Sequence, residues 1–345
     1  MGSVEIRACS SLLLPWVMCL VGTAALGGDP HAAPGVTSLT NAAVRYQVVD
    51  AGYVRLKRGP VELVLVDNGA HQLAEAPHHR AGYNGIAVLR HERQPRTLFV
   101  PDYAGLNLEH IHDGTSEGLR EPFEPRVFPM ELRRIDESTY ELYQPPTGNF
   151  CLESCGRYRL LPDGVIEYTL ECIPRSTTFR RGFIGLFWAS YIHQPEDLSI
   201  YFQGREANDP HQRPRWINAV SPRHGVDATH PPAEAAFFPP IDDDFRLTLV
   251  NHPSPYVHTS SWYFGVCRGM AWVQVFRRKD HVWLAQSPSG GGQGNPAWDF
   301  QWFVPDCQTG QAYGFVMRAA YVPFESREQI ERLARELQAA LESTS

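Results

Sequence analysis

Lysine is nearly missing from this 345-residue chain: Lys57 and Lys279 are the only two among 31 basic residues, set against 38 acidic ones and a formal charge of -7. No stretch gathers Lys and Arg as phosphate binding requires, which excludes a nucleic-acid partner. The remaining positive charge is guanidinium, suited to bidentate contact with carboxylates. Other signatures are missing too. There is no G-x-S-x-G elbow, no H-E-x-x-H helix and no dinucleotide fingerprint, which argues against serine hydrolase, zincin and nicotinamide enzyme. Nor is there an internal repeat, a low-complexity tract or an interdomain linker. The longest apolar run, from Leu12 to Leu26, is short for a membrane span and is interrupted by Pro15.

What that run does resemble is an export signal. Arg7 supplies a positive n-region, the apolar stretch follows, and small residues close it near Ala25 to Gly28. Residues 1–28 are therefore expected to be a cleaved signal peptide, which places the protein in the periplasm or outside the cell with no membrane span after cleavage. Cleavage removes Cys9 and Cys19 and leaves Cys151, Cys155, Cys172, Cys267 and Cys307. In an oxidising compartment, a disulfide between Cys172 and either Cys151 or Cys155 is expected, because the turn "LPDG" folds their two segments together.

Helical periodicity is also scarce. From about residue 42 to residue 325 short apolar runs alternate with period two between Pro, Gly, Asp and Asn, as in "VELVLVDNG", "YELYQPP", "RYRLLPDGVIEYTLECI", "FRLTLVNH", "AWVQVFRRKDHVWLAQS" and "AYGFVMRAAYV". "LPDG" and "RRKD" read as hairpin turns. The fold class is all-β, a large antiparallel β-sandwich. The exception closes the chain: Ser326 and Gln329 form a capping box, and Ile330, Leu333, Leu337 and Leu341 share one helical face, which predicts an amphipathic helix over 326–342 packed on the same domain. Residues 203–244 read as one long Pro-rich loop, and a loop of that length is often functional.

Three stretches carry candidate chemistry. In "GLNLEHIHDG", strand alternation puts His110 and His112 on one face and Asn107 and Glu109 on the other. Two imidazoles so spaced could exchange protons near neutral pH, bind a divalent metal with a third ligand from elsewhere, or simply be satisfied at a strand end. In "GFIGLFWASYIHQPED", Phe187, Tyr191 and His193 oppose Trp188 and Ile192. In "PAWDFQWFVPD", Trp298, Phe300 and Trp302 oppose Asp299 and Gln301, which could grip hydroxyl groups. A polar loop contributes Arg80, Tyr83 and Asn84 as candidate rim residues. Aromatic rings beside polar donors suit a saccharide.

Together "AGYNGIAVLRH", "LFVPDYAGLNLEHIHDG", "GFIGLFWASYIHQPED" and "NPAWDFQWFVPD" resemble exported β-proteins of the galactose mutarotase-like superfamily. The resemblance implies a supersandwich with a concave face that binds carbohydrate, on a scaffold shared by aldose epimerases, polysaccharide lyases and sugar-binding domains. It implies a histidine acid, for which His193 or His110 could stand, and a carboxylate, for which Glu109 or Asp299 could stand. The expected function is saccharide binding on one sheet face, with His110, His112 and His193 as proton carriers, Glu109 or Asp299 as partner, and Trp188 or Trp298 as stacking platform. Asn107, Tyr191 and Gln301 complete the expected contacts. Two alternatives use the same residues: a non-catalytic glycan-binding envelope protein, and a metal-dependent hydrolase built on His110 and His112.

Overall fold

A computed structural model describes residues 30–343. The signal segment expected at residues 1–28, with Cys9 and Cys19, lies outside the described residues.

The alternating runs pair almost wholly with antiparallel neighbours. One eleven-stranded sheet runs in the order Gln47–Val48, Glu131–Arg134, Thr139–Gln144, Leu152–Leu160, Ile166–Pro174, Tyr313–Pro323, Met270–Phe276, Trp262–Cys267, Ile200–Glu206 and Arg215–Ala219, with Tyr256–His258 paired beside Ile200–Glu206. A five-stranded sheet runs Thr229–His230, Trp283–Ser287, Ala297–Val304, Ile184–Ala189 and Asn107–His112, and Tyr53–Arg58, Val61–Val66 and Gly85–His91 form a third sheet. The large and the five-stranded sheets face each other over one apolar core. Leu108, Ile111, Trp188, Trp298, Phe300 and Trp302 from the smaller sheet meet Tyr168, Trp272, Phe315 and Met317 from the larger. This is the expected large antiparallel sandwich.

The terminal helix, Arg327–Glu342, forms as expected. Ser326 Oγ accepts from the Gln329 amide at 3.2 Å, and Gln329 Oε1 accepts from the Glu325 amide at 3.0 Å. Such a cap contributes about 1 kcal/mol. Ile330, Ala334, Leu337 and Leu341 pack on the outer face of the large sheet against Trp262, Phe264 and Val273.

Four expectations are corrected. "FRLTLVNH" forms no strand; its apolar residues Phe245, Leu249 and Val250 instead cover the outer face of the five-stranded sheet. "RRKD" is not a hairpin turn: a 3-10 turn, Arg278–Asp280, carries the chain from the large sheet into the five-stranded one, with Arg277 in a bidentate pair with Asp280 at 2.8 Å. The segment 203–244 is not one loop, since Arg215–Ala219 pairs with Ile200–Glu206 and Thr229–His230 joins the smaller sheet. Finally, Cys151, Cys155, Cys172, Cys267 and Cys307 are all free thiols. The hairpin register explains why Cys155 and Cys172 stay apart: Ser154 lies opposite Cys172 and Cys155 opposite Glu171, so the two sulfurs point to opposite faces of the sheet.

Candidate functional site

The strand Asn107–His112 does not keep strict alternation. Phe187 opposes His110 and Trp188 opposes Leu108, which leaves Glu109 as the extra residue of a β-bulge. Leu108 and Ile111, three apart, both enter the core. Glu109 and His110, adjacent in sequence, therefore both face outward into one cavity of about 240 Å³. Asp299 and Tyr191 line the same cavity, as do Phe123, Phe187 and Ala297. The covering segment closes it with Arg246, Leu249 and His252, joined by His224 from an earlier loop. Of five residues expected to carry protons, three thus meet at one place.

Each of these groups has a defined hydrogen-bonding state. Glu109 Oε1 accepts from the Tyr191 hydroxyl at 2.7 Å and from Arg126 Nη1 at 3.0 Å. Burial works against the Arg126 charge, but the adjacent Glu109 carboxylate, together with Tyr191 and Tyr83, holds the guanidinium above its ordinary value. Arg126 is further fixed by donating Nε to Gly82 O at 3.0 Å and by lying 3.8 Å from the centre of the Tyr83 ring. His110 Nδ1 lies 2.9 Å from Pro122 O, and because a carbonyl only accepts, that nitrogen carries the hydrogen. Nε2 is left as the acceptor, 4.0 Å from Glu109 Oε2. Burial lowers the His110 pKa, so the ring is neutral at pH 7. Burial, aided by the Glu109 charge, raises the Asp299 carboxyl well above its usual range, although the Ser190 amide donates to it at 3.1 Å. The cavity therefore combines a neutral imidazole with a free acceptor nitrogen, a carboxyl whose pKa burial raises and a fixed carboxylate. Such an arrangement can pass protons to and from a bound hydroxyl or carbon acid.

His112 does not join it. Its ring is fully buried among Phe183, Phe245 and Phe303, and neither nitrogen has a hydrogen-bond partner. Burial, with His110 adding to it, pushes its pKa down to about 3. The two imidazoles share a sheet face yet occupy different surroundings, and among the described residues no three His, Cys, Asp or Glu side chains gather as a metal would require. His193 is also elsewhere: its carbonyl accepts from Arg268 Nη1 at 2.7 Å, and it does not line the cavity.

The expected stacking platforms are not platforms. Trp188 and Trp298 are sealed in the core, donating their indole N–H to Tyr168 Oη and Leu198 O respectively. Asn84 and Asn107 act on the backbone instead of on a ligand: Asn84 bonds the amide and carbonyl of Leu108, both at 3.2 Å, and Asn107 donates to Asn84 O at 3.0 Å. They hold the bulged strand in place. Gln301 is fully buried, with neither amide atom bonded, and does not line the cavity. Arg80 is exposed over Tyr83 and Tyr103, while Tyr83 lines a second, neighbouring cleft. Sequence reasoning missed Arg126 and Phe123. Their segment, "EPFEPRVFPM", carries only a short proline-containing helical turn, Glu124–Val127, with no periodicity to mark it.

No family model and no curated protein matches this chain. Solved structures do. A galactose 1-epimerase from Lactobacillus acidophilus NCFM aligns over 81% of this chain and 100% of its own at 9% identity and a TM-score of 0.39. A heparan sulfate lyase, HepC, from Pedobacter heparinus aligns over 81% of this chain at 9% identity and a TM-score of 0.42. An α-N-acetylgalactosaminidase from Bifidobacterium bifidum aligns over 82% at 10% identity and a TM-score of 0.45. In the last two, the aligned part spans only 37% and 38% of the longer protein.

Proposed function

We propose that the cavity holding Glu109, His110, Tyr191 and Asp299 binds a saccharide and that the protein exchanges protons with it, as an epimerase or an eliminating enzyme does. One observation carries this reading: a bulge turns an acid and an imidazole toward the same cavity, which a second carboxyl, its pKa raised by burial, also lines. A neutral base and a neutral acid side by side are what moving a proton on and off an uncharged hydroxylated substrate needs. His110 Nε2 takes the proton, the Asp299 carboxyl supplies one, and Glu109, locked by Arg126 and Tyr191, orients the hydroxyl between them. The cavity is smaller than the about 300–1,000 Å³ that drug-sized ligands occupy, so it holds one sugar ring. The N-terminal run after Arg7 further supports an exported protein. Recovery of the chain in the periplasmic or culture fraction, shortened near Gly28, checks that part.

The test is a panel of neutral and uronic sugars, each followed for binding by calorimetry, for anomeric ratio by NMR and for unsaturated product by absorbance. Binding with turnover that falls about 100-fold or more in Glu109→Gln and Asp299→Asn supports the reading. Binding that survives in both variants without turnover in any form assigns the protein to non-catalytic glycan recognition. Absence of binding across the panel overturns the proposal.

A further inference from the structure

Beside the inner cavity lies a larger cleft of about 750 Å³, lined by Asp67, Tyr83, Glu121, Phe123, Val127 and Met130 among others. The two spaces share Phe123. Arg126 stands at their boundary, lining the outer cleft while its Nη1 reaches Glu109 in the inner one. The cleft wall is apolar where a soluble surface is ordinarily polar: Phe123 is 40% and Val127 56% exposed, two of six large apolar side chains so exposed among the described residues. Its polar groups, Asp67, Glu121 and Arg126, sit around that apolar wall.

The wall is also held in shape before anything binds. Asn68 Nδ2 donates to Pro125 O at 2.7 Å and to Phe128 O at 2.6 Å, and Gln144 Nε2 donates to the same two carbonyls at 2.8 and 3.1 Å. The Glu124 carboxylate accepts from the amides of Asn149 and Phe150 on the other side. Four side-chain hydrogen bonds on two carbonyls leave residues 125–128 little freedom, so a ligand meeting Phe123 and Val127 pays little to order them.

We propose that this outer cleft is a subsite for further sugar units of the same chain whose end ring occupies the inner cavity, so that the ligand is an oligosaccharide. The inference rests on the saccharide reading above. A sugar offers an apolar C–H face to a ring such as Phe123 or Tyr83 and hydroxyls to charged groups at its edge, which is the distribution found here. Continuity through Phe123, which lines both spaces, selects the rest of the same molecule as occupant: a chain running from one space into the other passes that side chain. Because Arg126 packs between Phe123 and Tyr83 while holding Glu109, an occupied outer cleft also tightens the group that orients the inner ring.

The experiment uses the full chain with glucose, cellobiose, cellotriose and cellotetraose, the corresponding galactose series, and galacturonic acid with its oligomers. The wild type is compared with Val127→Asp and, as control, Phe238→Ser, an exposed apolar residue that packs on Trp283 and does not line the cleft. The expected result is that affinity rises about tenfold or more from one unit to three. Val127→Asp is expected to abolish that rise while leaving single-sugar affinity unchanged, and Phe238→Ser to change neither. Single sugars that bind as tightly as their oligomers overturn the subsite while sparing the inner-site reading. Failure of every length to bind overturns both. Concentration-dependent dimerisation removed by Val127→Asp, without length dependence, assigns the cleft to a second copy and overturns the proposal as well. The thermal midpoint is expected to be unmoved, since Val127 is exposed.

Discussion

His110 and His112 lie two residues apart on the same face of one edge strand, and they have almost nothing else in common. His110 donates Nδ1–H to a carbonyl, borders a cavity and keeps one nitrogen open toward Glu109. His112 is enclosed by three phenylalanine rings and bonds to nothing. The difference comes from what covers the sheet. Above His112 the covering segment contributes Phe245 and Val250, with Phe183 and Phe303 beside it, and closes the space. Above His110 the lining residues include Thr248, Arg246 and His252, and the space stays open. Identical side chains thus border an open cavity or fill a packed one according to whether the segment over them is polar, and neither placement is a property of the strand.

The largest effects should separate the two positions. His110→Ala removes the proposed base and is expected to lower turnover by about 10²–10⁴-fold, the range for a positioned acid–base group, with a stability loss of only about 1 kcal/mol for its single hydrogen bond. His112→Ala should do the reverse, leaving turnover intact and costing about 1–3 kcal/mol through the space left among the phenylalanines. Turnover and urea unfolding measured on both variants decide the matter. Loss of turnover in His112→Ala at unchanged stability would show that the two imidazoles act as a pair after all.

A smaller effect sharpens the same contrast. Gly185 sits opposite His112, and a Cβ added there would come within 2.5 Å of His112 Nε2. Gly185→Ala should therefore destabilise by about 1–3 kcal/mol, and combining it with His112→Ala should recover most of that loss. His112→Leu, which removes two buried unbonded nitrogens, should be neutral or mildly stabilising. A double-mutant cycle in urea measures the coupling; additive losses would mean that the clash lies elsewhere.

Much of this architecture was legible in the sequence because the physics that builds it is local. Period-two runs, the "LPDG" hairpin and the Ser326–Gln329 cap each announce themselves within a few residues. That Asp299 lies on the face opposite Trp298, Phe300 and Trp302 followed from the same alternation. What alternation could not show is its own failure: "NLEHIH" contains no glycine to mark a bulge, so Glu109 was expected on the face away from His110. Whether a face meets core or cavity is decided by segments far away, which is why Trp188 and Trp298 looked like platforms and are core. Arg126 was invisible for the same reason, since its partner Glu109 is reached only through the fold.

The smallest expected effect is on pH, and it divides the two histidines a last time. If His110 is the base it must be neutral to work, and burial has lowered its pKa from the ordinary 6.5, so turnover should rise with pH through a point below 6.5. Asp299 must stay protonated, and its raised pKa places the falling limb above the ordinary 3.8, with activity surviving well beyond the range of an exposed carboxyl. His112 contributes to stability instead. Its folded pKa, about 3, lies below the unfolded 6.5, so the unfolded chain binds the extra proton and stability is full above 6.5, declining as pH falls toward 3. His230 and His258, pushed by burial down to about 3 and about 4, add to the same decline. Replacing His112 with Leu should therefore flatten the acid side of the stability curve by one proton's worth while leaving the pH profile of turnover in place. An ascending turnover limb that moved with His112→Leu would place the titrating base at His112 and reverse the assignment.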